Sequence, residues 1–185
     1  SSGLHKRIAL KMIIAVGSSG ASLIGGFMLV AALISMWVMN TSTTLMLLPI
    51  GLAVCAVMAD TIPGLTEKQK KDFDTALLLG IAYAATIGGM STLIGTAPNI
   101  VFSSFMQDTY GVEISMLNWM MLGVPLAAVL LLGAWISLTK YVFKINFEAS
   151  SESKLELKKI LNEMGDLSKD EIRISIIFGL AVFAW

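Results

Sequence analysis

Two long stretches of this chain, residues 23–59 and 75–106, contain no Asp, Glu, Lys, Arg or His, and each is interrupted near its middle by residues that disfavour a continuous helix. In the first the interruption is Asn40, Thr41, Ser42, Thr43 and Thr44; in the second it is "IGGMSTLIGTAPN" at 87–99. In hydrocarbon an unpaired backbone amide or carbonyl is costly, so irregular backbone persists there only where protein, ions or a watery cavity satisfies it. Two breaks in one small region predict a shared polar site.

The frame is an all-α integral membrane protein, expected in the cell (inner) membrane. Of 185 residues 56% are hydrophobic and only 14% charged, far from the balance that keeps a soluble domain dissolved. Net charge is zero, which gives no footprint for nucleic acid. Cys55 stands alone, so no intrachain disulfide forms, and it reads as a packing or lipid-facing residue. His5, among Lys6, Arg7 and Lys11, reads as part of a solvated segment. No cleavable signal peptide is evident. The chain opens on "SSGLHKRIALK" and closes part-way into an apolar run that needs roughly 20 residues to cross a bilayer. The expectation is an internal piece of a longer protein.

A third apolar block, Met116 to Phe143, contains Pro125 and carries Trp119, Trp135 and Tyr141 at positions suited to interfacial belts. Thr66 with Gln69, and Ser168 with Glu171, fit capping boxes at helix starts. Leu157, Ile160, Leu161 and Met164 share one face of a short amphipathic helix, lying on the membrane or joining two spans. Lys and Arg cluster in the N-terminal segment, at 68–71 and from 140 to 173, whereas 107–115 has none. The positive-inside rule makes the first three cytoplasmic and the last external.

The layout that follows is a cytoplasmic or interfacial lead-in at 1–21, a hairpin at 22–59, a cytoplasmic connector at 60–74 and a broken transmembrane helix at 75–106. Then come an external loop at 107–115, a transmembrane helix at 116–143, a cytoplasmic amphipathic segment at 144–171, and the start of another span at 172–185. The first block must begin and end on the cytoplasmic side. Its halves, Ser22 to Val38 and Leu45 to Ala59, would be about 25 Å and 22 Å long as helices, against a hydrocarbon core of about 30 Å. Two full spans are marginal. A re-entrant hairpin with its tip at Asn40–Thr44 fits better.

Without an ionisable side chain in either broken block, a proton relay has no carrier there. What remains are hydroxyls, amides, carbonyls and half-helix ends. Oxygens of that kind suit a hard cation such as Na⁺, while helix N-termini favour an anion. Gly88, Gly89 and Gly95, followed by Pro98, allow unwinding and close approach of a ligand, or else tight helix packing. Thr86, Ser91, Thr92, Thr96 and Asn99 are the polar groups of this second break.

"FMLVAALISMWVMNTSTTLMLLPI" resembles the first signature of the divalent anion/sodium symporter family, in which a Ser-Asn-Thr triplet sits at a re-entrant hairpin tip. "LLLGIAYAATIGGMSTLIGTAPNIVF" is similar to that family's following broken helix, and "MGDLSKDEIR" to its cytoplasmic segment. The resemblance implies an elevator-type transporter of two inverted repeats, usually a homodimer, carrying dicarboxylates, citrate or sulfate with Na⁺ as coupling ion. It implies substrate contacts at Asn40, Thr41, Thr43 and Thr92, and sodium contacts at Ser35, the Met39 backbone, Asn40, Gly88 and Gly95. A dicarboxylate such as succinate is the first expectation for the substrate. Met39 departs from the pattern, since it stands where the triplet has serine, and a thioether is a poor Na⁺ ligand. The rival readings are an oxyanion or antiport carrier of similar fold and a non-transporting membrane subunit. An intramembrane protease fails for want of a base near Ser91.

Overall fold

A computed structural model describes residues 19–61 and 65–146, together with Leu155 and Lys159. The expected amphipathic helix and the Ser168–Glu171 capping box lie outside the described residues, apart from those two. Five α-helices are described: α1 (Gly20–Ser35), α2 (Asn40–Thr61), α3 (Glu67–Met90), α4 (Ala97–Tyr110) and α5 (Met116–Ile136). A π-helical stretch, Ser137–Val142, continues α5.

Helix α1 starts where the Ser19 hydroxyl accepts from the Ser22 amide. It is sunk in the core along most of its length, with Leu23, Ile24, Phe27, Met28, Val30 and Ala31 all but inaccessible. Residues 36–39 turn the chain, and α2 runs back. Helix α3 begins with the expected capping box: the Thr66 hydroxyl accepts from the Gln69 amide, and the Gln69 side chain accepts from the Thr66 amide. It packs against both arms of the hairpin.

Close approaches fix the directions. Gly80 of α3 abuts Ile24 and Met28 of α1, and Gly88 abuts Ala32, so α1 and α3 run parallel. Gly51 of α2 abuts Leu78 and Ile81, and Gly89 abuts Asn40, so α2 runs antiparallel to α3. The small residues Gly80, Ala84 and Gly88 recur every four positions along the α1-facing side of α3. Such a stripe lets backbones meet without a hydrophobic driving force. Cys55 is a buried packing residue of α2.

Helix α5 returns antiparallel, pinned at two levels. Near its start the Trp119 indole donates to the Met90 carbonyl at 2.9 Å, and near its end the Trp135 indole donates to the Ala21 carbonyl at 2.8 Å. Elsewhere α5 is largely exposed and apolar, as are the outer faces of α4. Helix α4 reaches Tyr110, beyond the expected loop boundary at 107, and stops at Gly111, whose φ of 66° makes a left-handed cap.

Candidate ion and anion site at the two breaks

Both interruptions exist, shifted from where the sequence puts them. The hairpin turns at Met36–Met39, and Asn40–Thr44 form the first turn of α2 instead of an irregular tip. Hydroxyl residues tolerate a first helical turn because they can bond locally: Thr44 donates to the Asn40 carbonyl at 2.9 Å, and Thr43 to the Val38 carbonyl at 3.4 Å. The second break is narrower than 87–99. Gly88 and Gly89 are still helical, and the chain is unwound from Ser91 to Thr96.

The turn and the unwound segment meet. The Thr92 hydroxyl donates to the Met36 carbonyl and accepts from the Gly95 amide at 3.1 Å, joining the two breaks through one buried side chain. Asn99, also buried, spends both protons of its amide nitrogen on the carbonyls of Gly89, at 3.0 Å, and Thr92, at 2.7 Å. The Ser91 hydroxyl and amide both reach the Gly88 carbonyl, at 2.5 and 3.0 Å.

Above Gly89 oxygens gather. Ser35, fully buried, donates its hydroxyl to Asn40 Oδ1 at 2.8 Å. A Cβ built on Gly89 would lie 3.2 Å from the Gly95 carbonyl oxygen and closer still to Asn40 Oδ1. Three segments therefore bring Ser35 Oγ, Asn40 Oδ1 and the Gly95 oxygen to one spot, and only a residue without a side chain fits beneath them. The Asn40 amide nitrogen and the hydroxyls of Thr41 and Ser42 have no partner among the described residues. The N-termini of α2 and α4 flank the cluster, and no charged side chain of either broken block balances their dipoles.

Of the residues expected from the resemblance, Ser35, Asn40, Gly88, Thr92 and Gly95 are brought together. Thr41 is exposed at the start of α2, and Thr43 is buried and turned toward the hairpin turn. The Met39 side chain is exposed, and its carbonyl accepts from the Thr43 amide at 3.0 Å as the first rung of α2. Sequence reasoning read Gly89 as allowing unwinding or tight packing and Trp119 as an interfacial aromatic, without seeing the contacts each makes here, and Asn99 was noted only as polar. Asn99 follows Pro98 at the start of a half-helix in an uncharged block, a signal that could have found it. A crevice between α1, α3 and α5, lined by Leu29, Leu33, Met36, Val124 and Leu131, lies behind Gly88 and Ser91 and offers an anion almost nothing polar.

The family described as citrate transporter matches residues 1–185. The chain belongs to that family. It is also 38% identical to the sodium-dependent dicarboxylate transporter SdcS of Staphylococcus saprophyticus, over 98% of this chain and 35% of the relative. To SdcS of Staphylococcus aureus strain USA300 it is 35% identical, again over 98% of this chain and 35% of the relative. The chain thus spans about a third of the length of the curated relatives it matches. That family is one of integral membrane transport proteins, not of enzymes. Helices α3 and α5, the latter with its π-helical continuation, are long and apolar enough to cross a bilayer.

Proposed function

We propose that the intact protein is a secondary active transporter that couples Na⁺ to the uptake of a divalent organic anion, a dicarboxylate such as succinate. The observation that carries this reading is the gathering of Ser35 Oγ, Asn40 Oδ1 and the Gly95 carbonyl over Gly89. Neutral oxygens at a water-poor depth suit a hard monovalent cation. Anion contacts fall to the free amide of Asn40 and the free hydroxyl of Thr41, at a helix N-terminus. Thr43 supports the turn, and Thr92 acts by holding the breaks together, since its hydroxyl is already engaged twice. The Gly88 carbonyl already accepts two bonds, so Gly88 contributes mainly by letting α1 come close. The Met39 carbonyl keeps one lone pair for the ion.

In this reading α1 and α2 form a re-entrant hairpin entering from the cytoplasmic side. The 16 residues of α1 give about 24 Å, short of a core of about 30 Å. The remainder of the parent supplies the second repeat of an elevator-type homodimer. Purified intact parent in proteoliposomes, given external labelled succinate under an inward sodium gradient, tests the assignment. Asn40→Ala should raise the half-saturating concentrations of both sodium and succinate, because it removes an ion oxygen and an anion donor together. Losing a bond to a charged group costs about 1.5 to 3 kcal/mol, or roughly tenfold to a hundredfold. Uptake that ignores sodium and follows pH refutes the coupling, and unchanged uptake by Asn40→Ala refutes the site.

A further inference from the structure

A helix that stops inside a membrane leaves its last carbonyls without amides, and each needs another donor. In α3 the Gly88 carbonyl is served by Ser91 and the Gly89 carbonyl by Asn99, both from the broken stretch itself. The Met90 carbonyl, which a continuing helix would pair with the Ile94 amide, takes its proton from Trp119 of α5 instead. One turn further along α5, Gly123 meets the same place: a Cβ there would stand 2.8 Å from the Ser91 oxygen and 3.1 Å from its Cα. Phe102 of α4 sets its ring edge against Trp119, centroids 6.0 Å apart at 64°. One side chain of α5 thereby touches the helix before the break and the helix after it.

We infer that Trp119 is a positioning residue, which holds residues 91–96 unwound through the Met90 carbonyl and so sets the cation affinity of the oxygen cluster over Gly89. The part concerning the cation rests on the sodium reading above; the part concerning the unwound backbone does not. Trp119 touches no atom of the cluster. It takes a carbonyl out of competition for the Ile94 amide, so the Gly95 carbonyl stays where the cluster needs it.

The test compares Trp119→Phe with Trp135→Phe in the intact parent. Each keeps a ring and removes one indole proton, but Trp135 serves Ala21 at the far end of α5. Two quantities are read: amide hydrogen exchange of peptides covering 87–99 without sodium or substrate, and the half-saturating sodium concentration for uptake. Trp119→Phe should change exchange in 91–96 and raise half-saturating sodium about fivefold, the equivalent of one neutral hydrogen bond, with the maximal rate within about twofold. Trp135→Phe should leave both at wild-type values. Gly123→Ala, which keeps the indole but displaces Ser91, should act in the same direction and replaces Trp119→Phe if that variant fails to reach the membrane. Wild-type exchange in 91–96, equal effects of the two Phe variants, or altered exchange without altered sodium dependence overturns the proposal. If wild-type uptake ignores sodium, the coupling reading falls, and the exchange comparison alone decides whether Trp119 holds the break.

Discussion

Replacing Thr92 by Val tests whether the two breaks form one site. The substitution keeps the branched shape and deletes the hydroxyl that the Met36 carbonyl and the Gly95 amide share. Thr92 and the Gly95 amide it serves are buried, and the Met36 carbonyl is part-buried. Each orphaned buried group costs about 1 to 3 kcal/mol, and two orphans at the low end come to about 2 kcal/mol. That is about thirtyfold in any equilibrium requiring the turn to sit against the unwound segment, and apparent affinity falls by the fraction of molecules that lose the arrangement. Proteoliposome uptake by the intact parent should show half-saturating sodium and succinate both rising, with Thr92→Ser close to wild type. Thr86→Val is the control, because the Thr86 hydroxyl bonds only to the Ala82 carbonyl one turn back on an exposed face of α3. If Thr92→Val matches Thr86→Val, the turn and the unwound segment are held together by packing alone and the bridging argument fails.

Two further substitutions probe the same region. Gly88→Ala should sharply reduce the folded, membrane-inserted yield, since its Cβ would sit 2.5 Å from the Ala32 Cα and neither backbone can yield locally; overpacking of this kind costs about 1 to 3 kcal/mol or more, and a wild-type yield by size-exclusion chromatography would show that α1 and α3 can separate. Met39→Ser should lower half-saturating sodium at fixed substrate if the serine hydroxyl turns toward the cluster; unchanged sodium dependence would mean that Asn40, Ser35 and backbone oxygens already complete the ion's shell.

Much of the architecture was legible because it follows from local chemistry. Charge-free blocks gave the apolar helices, and the Thr66–Gln69 box gave the start of α3. The displaced turn shows where local reasoning ends. Residues 36–39 read "MWVM", an apolar run with no turn signal, and the chain bends there because Thr92, far along the sequence, claims the Met36 carbonyl. Asn40–Thr44, with the stronger propensity to leave a helix, serve as its first turn, since that is where such side chains find partners. Gly88 and Gly89 were read as allowing either unwinding or tight packing. They remain helical, and what their missing side chains admit is Ala32 at one and Asn40 at the other. Trp119 and Trp135 looked like interfacial anchors because a sequence cannot display which carbonyl an indole will meet.

The parallel stripe along α1 and α3 also works as a mechanical stop. Ala32 faces Gly88 at backbone contact, and two turns back along α3 Ile24 and Met28 face Gly80. Sliding α1 forward by four residues, about 6 Å, would bring Met28 to Gly88, where the backbones of the two helices already touch and the longer side chain would have to find new room. Contact at Gly88 and at Gly80 thus ties the hairpin's first arm to α3, so a shift of either helix along their common direction must carry the other or break both contacts.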